Sequence, residues 1–154
     1  MPSLADLISP LSRKDLLSTI QPGDIFRIRL TIEEGITPKN KDDSSRNKYF
    51  IVIGKTKDKK VIGFVVINSC INQNLSIQLQ QLHYPLRAAK YFFLDHDSYV
   101  CCGELKEITI EHFSDRYTCQ SFGSIDKDDL KYITDAVISS PIESPKHLRK
   151  FGLI

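Results

Sequence analysis

Two uninterrupted apolar stretches, Tyr49 to Ile53 and Val61 to Ile67, stand on either side of a polar turn from Gly54 to Lys60. A strand with one wet face alternates apolar and polar residues, whereas a strand covered on both faces reads as a continuous apolar run. The pair therefore predicts a central hairpin, and the rest of the chain has to supply cover for both of its faces. Ile25 to Leu30 does alternate, with Phe26, Ile28 and Leu30 opposing Arg27 and Arg29, so a half-buried strand follows the Pro22-Gly23-Asp24 break. Ile77, Leu79 and Leu82 suggest another alternating strand. Tyr91 to Leu94 and Tyr99 to Cys102 continue the β reading around Asp95-His96-Asp97-Ser98, and Leu105, Ile108 and Ile110 add a short strand.

Helical periodicity is confined to the two ends. Ser12 is an N-cap candidate before Leu16, Leu17 and Ile20, and Ser124 or Asp126 caps a later helix. That later helix carries Leu130, Ile133 and Val137 on one stripe and stops at Pro141. Five or six short strands followed by a helix predict a mainly β fold with flanking helices, a small curled or closed barrel, with a sandwich as the alternative. A length of 154 residues with 41% hydrophobic and 26% charged residues suits a single domain and excludes wholesale disorder. It divides into a helical appendage at residues 1–20, a barrel with its C-terminal helix at 21–140, and a tail at 141–154. The tail either packs on the barrel or covers its working face through Phe151, Leu153 and Ile154.

Asp6, Arg13, Lys14 and Asp15 interrupt the opening segment, and no apolar run approaches the roughly 18 to 20 residues of a membrane span. The expectation is a cytoplasmic protein with no membrane partner. Cys70, Cys101, Cys102 and Cys119 contain no CxxC pair, so the thiols are expected reduced, with no metal and no cofactor.

The formal net charge is only +2, but from Thr37 to Lys60 eight basic and three acidic residues leave a local charge of +5. A basic loop and hairpin of this kind suits a polyanion, although lysine-rich turns also serve solubility. Lys39, Lys55 and Lys57 are candidate contacts to such a partner. Arg46 and Lys48, one residue apart in an extended segment, share a face and can line one site.

Five motifs occur in a telling order. Pro22-Gly23-Asp24-Ile25 opens the first strand, and a long loop ends in a basic residue before Tyr49-Phe50-Ile51-Val52-Ile53. Val65-Val66-Ile67-Asn68-Ser69 follows, then Asp97-Ser98-Tyr99-Val100-Cys101-Cys102-Gly103-Glu104-Leu105-Lys106, and last Gly123, Leu130 and Ile133. Over roughly residues 21 to 140 this resembles the MazF/PemK-like toxins. The resemblance implies an SH3-like barrel, a homodimer, a cognate antitoxin as partner, and metal-independent, sequence-selective cleavage of single-stranded RNA.

It also implies roles for particular residues. Arg46, Lys48 and Ser69 would be catalytic, Asn68 would contact RNA beside Lys39, Lys55 and Lys57, and Asp97, Ser98 and Glu104 would support the site. Such cleavage deprotonates a 2′-hydroxyl, neutralises a phosphorane and protonates a leaving oxygen, all tasks for cations and proton carriers. Three departures stand against the pattern. Lys48 and Tyr49 occupy the place of the usual Arg-Pro pair, Arg46 lies two residues earlier, and Glu104 replaces a usual Gln. Arg46 would bring a planar fork and Lys48 a point charge with a readily shifted pKa. For Asn68 with Ser69, and for Asp97 with Ser98, ordinary turn chemistry is the competing role, and for Arg46 and Lys48 it is solvated loop-end charge. The alternatives to the enzyme are a catalytically inactive barrel that binds nucleic acid or protein, and a toxin of the same fold acting on a protein target.

Overall fold

The computed structural model describes residues 19–36, 45–117 and 122–154. The expected appendage at residues 1–20, apart from its last two residues, lies outside them, as do Lys39 and Cys119. The two apolar runs form the central hairpin, β2 (Ser45–Lys55) and β3 (Val61–Asn68). Its turn is held by Asp58, which accepts from Thr56 Oγ1 and from the Lys60 amide. β1 (Ile25–Thr31) pairs antiparallel with the free edge of β2 and ends in a 3-10 turn, Ile32–Glu34, capped by Thr31.

The other edge of β3 serves two partners. Its second half pairs with β5 (Ser98–Cys101), which pairs in turn with β4 (His83–Leu86), and its first half pairs with β6 (Lys106–Thr109). All six strands are antiparallel, in the order β1-β2-β3-β5-β4 with β6 on β3, and among the described residues no ladder joins β1 to β4 or β6. The described residues also contain four short helices: α1 (Ile77–Gln80), α2 (Ile110–Arg116), α3 (Lys127–Ser139) and α4 (Pro145–Lys150). Among the described residues no helix is long and apolar enough to cross a membrane.

Both faces of the hairpin are covered, as its apolar runs require. On one face Phe26, Ile28, Leu30, Phe50, Phe64 and Val66 form a core closed by Phe113 of α2. On the other, Ile51, Ile53, Val65, Ile67 and Val100 pack under Ile133 and Val137 of α3, Leu148 of α4 and Phe151. α3 is pinned at its first turn, where the buried Asp129 accepts from the hydroxyls of Tyr84 and Tyr91 and from Lys90 Nζ at 2.8 Å. Burial alone would raise that carboxyl, but the hydrogen bonds from Lys90 and the two tyrosines outweigh it and hold its pKa low. Burial and the carboxylate together push the Tyr91 phenol up.

Several local expectations are corrected. Residues 77–82 contribute a helical turn rather than a strand, because Ser76 Oγ caps the Leu79 amide and the Gln80 side chain ties back to Gln73 and Leu75. Tyr91 to Leu94 is a loop whose amides bond locally to Arg87 and Tyr91, and it delivers Tyr91 and Leu94 to the core without pairing. β4 carries Pro85 and is tolerated because it lies at the sheet edge, where a missing N–H costs no ladder bond. α2 begins directly after β6 because Thr109 Oγ1 accepts from the His112 amide. The tail forms α4 behind a Ser144-Pro145 start and packs on the sheet.

Gly54 and Gly63 make room for that packing. A Cβ on Gly63 would sit 2.8 Å from the Phe151 ring, and one on Gly54 only 2.5 Å from the Phe151 carbonyl oxygen. We expect Phe151→Ala to lower the unfolding free energy by about 3 kcal/mol, the range for emptying a buried aromatic site. Gly63→Ala acts on the same contact, so in urea titrations the double variant should lose less than the sum of the two single losses. Strict additivity would show that the ring does not rely on this gap.

Candidate functional site

Alternation along β2 sends Arg46, Lys48 and Phe50 to one face, and the pairing of Phe50 with Val66 sets Lys48 across from Asn68. Lys48 Nζ donates to Asn68 Oδ1. This point lies beyond the fully buried part of β2, among residues that are only partly covered. A cleft of about 420 Å³ opens there, within the range of small-ligand sites, lined by Val66 and by Arg46, Lys48, Asn68 and Ser69. Cys70, His83, Cys101, Glu104 and Lys106 line it as well. The residues lining it end at Lys106, so among the described residues the C-terminal tail takes no part.

The electrostatics are dominated by two cations of different character. Lys48 is partly buried, and its ammonium is pushed down to about 8, first by loss of solvent and then by the neighbouring Arg46 guanidinium. It is therefore mainly charged at neutral pH and within reach of deprotonation. Lys106 is buried and committed: its Nζ donates to the Gly35 carbonyl at 2.8 Å and to Glu104 Oε1 at 2.9 Å. It ties the turn after β1 to β6 and fixes one rim of the cleft. Burial raises the Cys101 thiol, with Glu104 adding to the effect, so this sulfur faces the cleft as a neutral group.

Compared with known proteins, the chain matches no family model and no curated protein matches it. The site accordingly rests on its own residues.

Of the candidates named from sequence, Arg46, Lys48, Asn68, Ser69 and Glu104 meet in this one cleft. Among the described residues the others do not join them. Lys55 is at the far end of β2, about 20 Å along the strand at the usual rise, and donates to the Ile20 carbonyl at 2.9 Å. Lys57 is exposed in the hairpin turn. Asp97 accepts from the Ala88 amide at 2.8 Å, and Ser98 is buried and bonded to His96, so both brace the loop before β5. His83, Cys101 and Lys106 were not singled out as site residues. Strand parity alone would have found Cys101, whereas His83 depended on recognising β4.

Away from the cleft, ligating atoms of Glu33, Glu34 and His112 lie within 4.8 Å of one another. Glu34 is already engaged by Arg116 and by the Thr31 amide and hydroxyl, so the group works as a turn cap with an ion pair.

Because Arg46 is the second cause of the Lys48 shift, Arg46→Gln should raise the Lys48 pKa while burial keeps it below 10.5. NMR titration of the Lys48 side chain reads this directly, and an unchanged midpoint would show that the two cations are not coupled. The sign for stability follows from the lowered value. The charged ammonium opposes folding below pH 8, and that penalty fades as pH rises from about 8 towards 10.5. Lys48→Met should thus be at least as stable as the parent at pH 7, with the difference shrinking at higher pH.

Proposed function

We propose that the cleft binds a phosphodiester of single-stranded RNA and cleaves it, in the manner of the MazF/PemK-like endoribonucleases that the motif order resembles. The observation that carries this reading is the convergence of Arg46, Lys48, Asn68 and Ser69 in one concave site, with an ammonium at about 8. Arg46 supplies a planar, charged donor fork for the non-bridging phosphate oxygens. Lys48 adds a second charge at the same phosphate and a proton that can be released. Ser69, exposed at the end of β3, and the Asn68 amide offer neutral hydrogen bonds that position the backbone of the substrate.

The resemblance adds a homodimer, a cognate antitoxin and independence from metal to this reading. A cytoplasmic site of action belongs with it, and the free thiols of Cys70 and Cys101 beside the cations suit a reducing compartment. A second reading, binding without cleavage, is favoured by one feature: Glu104 already pairs with Lys106, which leaves less net charge to stabilise a transition state.

The test is incubation of the purified chain with a long unstructured RNA in EDTA, with ends mapped by primer extension. Cuts recurring at one short sequence are expected, and Arg46→Ala or Lys48→Ala should slow them about 100-fold. Lys57→Ala, in the distant turn, should leave the rate unchanged. Intact RNA that is nevertheless retained, with affinity falling as salt rises, would replace cleavage by binding.

A further inference from the structure

We infer that His83 is the group that takes the 2′-hydroxyl proton in this cleft, acting through Nε2. The inference rests on the endoribonuclease reading and adds a residue to it that no motif indicated.

Its basis is the hydrogen bonding of the ring. His83 Nδ1 lies 3.0 Å from the Leu79 carbonyl oxygen and 3.1 Å from that of Gln80. Carbonyls only accept, so Nδ1 must carry a hydrogen, and in the neutral ring the lone pair is then on Nε2. The last turn of α1 thus selects the tautomer and holds the ring, while β4 brings His83 into the wall of the cleft. A ring oriented through one nitrogen, with the other left to accept a proton, is the arrangement a general base requires.

The register places it on the same sheet face as Lys48, in the cross-strand row of Phe50, two residues along from the row of Lys48. His83 pairs with Cys101, and the Ile67 to Val100 pairing brings Cys101 alongside Val66 on the face that also carries Asn68 and Lys48. Lys48 on β2 and His83 on β4 are separated by three strand spacings and two residues along the strand, about 16 Å between backbones. Both residues line the one cleft. An in-line displacement at phosphorus places its attacking and leaving oxygens on opposite sides, so it needs a base and an acid so disposed. The charged and titratable groups sharing the cleft with His83 are Arg46, Lys48, Cys70, Cys101, Glu104 and Lys106.

The step balances without a co-reactant. The O2′ proton passes to Nε2 as the O2′–P bond forms, the P–O5′ bond breaks, and O5′ takes a proton from Lys48 Nζ. The products are a 2′,3′-cyclic phosphate and a 5′-hydroxyl. The imidazolium and the neutral amine then return to their starting states by proton exchange through solvent.

The obvious objection is that His83 merely caps α1, and His83→Asn separates the two roles. Its side-chain amide nitrogen takes the place of Nδ1 and keeps the cap, but nothing replaces Nε2. Single-turnover cleavage of an RNA oligomer and the Kd of its non-cleavable 2′-deoxy counterpart should be measured for the parent chain, His83→Asn and Arg46→Ala. The expected result for His83→Asn is a rate about 100-fold lower with a Kd within about threefold of the parent and an unchanged urea midpoint. A parental rate in His83→Asn, or a loss that simply follows Kd, overturns the role of His83, and if Arg46→Ala is impaired in the same assay the ribonuclease reading survives. RNA left intact by the parent chain overturns both.

Discussion

Burial of the β2–β3 hairpin on both faces is the constraint from which the rest of the molecule follows. A sheet covered on one side only needs apolar residues at every second position, but here Phe50 to Ile53 and Ile62 to Ile67 are buried without alternation. Each face then demands its own cover, which explains why a chain of this size devotes α2 to one side and α3, α4 and Phe151 to the other. The same constraint locates the polar site. Arg46 and Lys48 lie on β2 before Phe50, where its residues are only partly buried.

This placement also accounts for the character of the site. Lys48 is close enough to the aromatic core to lose part of its hydration, yet open enough to remain charged at neutral pH, and the Arg46 charge beside it strengthens the shift. Lys106 stands nearby with the opposite fate: fully engaged by Gly35 and Glu104, it works as a strut. Two lysines on one sheet face thus take different roles because one has two fixed acceptors and the other has a single amide oxygen.

The C-terminal segment and the candidate site are on opposite faces of one sheet. Phe151 enters the gap above Gly54 and Gly63 on the face remote from the cleft, so the C-terminal segment adds stability without closing access to Arg46 and Lys48. Of the two alternatives for the tail, packing and obstruction, the described residues show packing. The proposed chemistry requires the cleft to be open, and it uses groups drawn from β2, β4 and the end of β3, whose relative positions are set by the backbone ladders.

Much of this was legible in the sequence where the signal was local and periodic. The apolar runs specify the hairpin, the alternation of Ile25 to Leu30 specifies β1, and Asp126 followed by Leu130, Ile133 and Val137 specifies α3. Parity along an extended segment even put Arg46 and Lys48 on one face. What the sequence could not carry were elements defined by competition between local and distant hydrogen bonds. Ile77 to Leu82 has strand-like alternation, but the Ser76 and Gln80 side chains satisfy the backbone locally and make a helical turn. Tyr91 and Leu94 look like strand residues because they are core residues, and burial does not need pairing. Tertiary structure alone decided that Lys55 and Lys57, neighbours of Lys48 in sequence, lie far from it, since an extended strand separates residues faster than any other structure. It likewise decided that His83, Cys101 and Lys106 face the same cleft, because antiparallel pairing joins residues by register across strands, and register is a property of the assembled sheet.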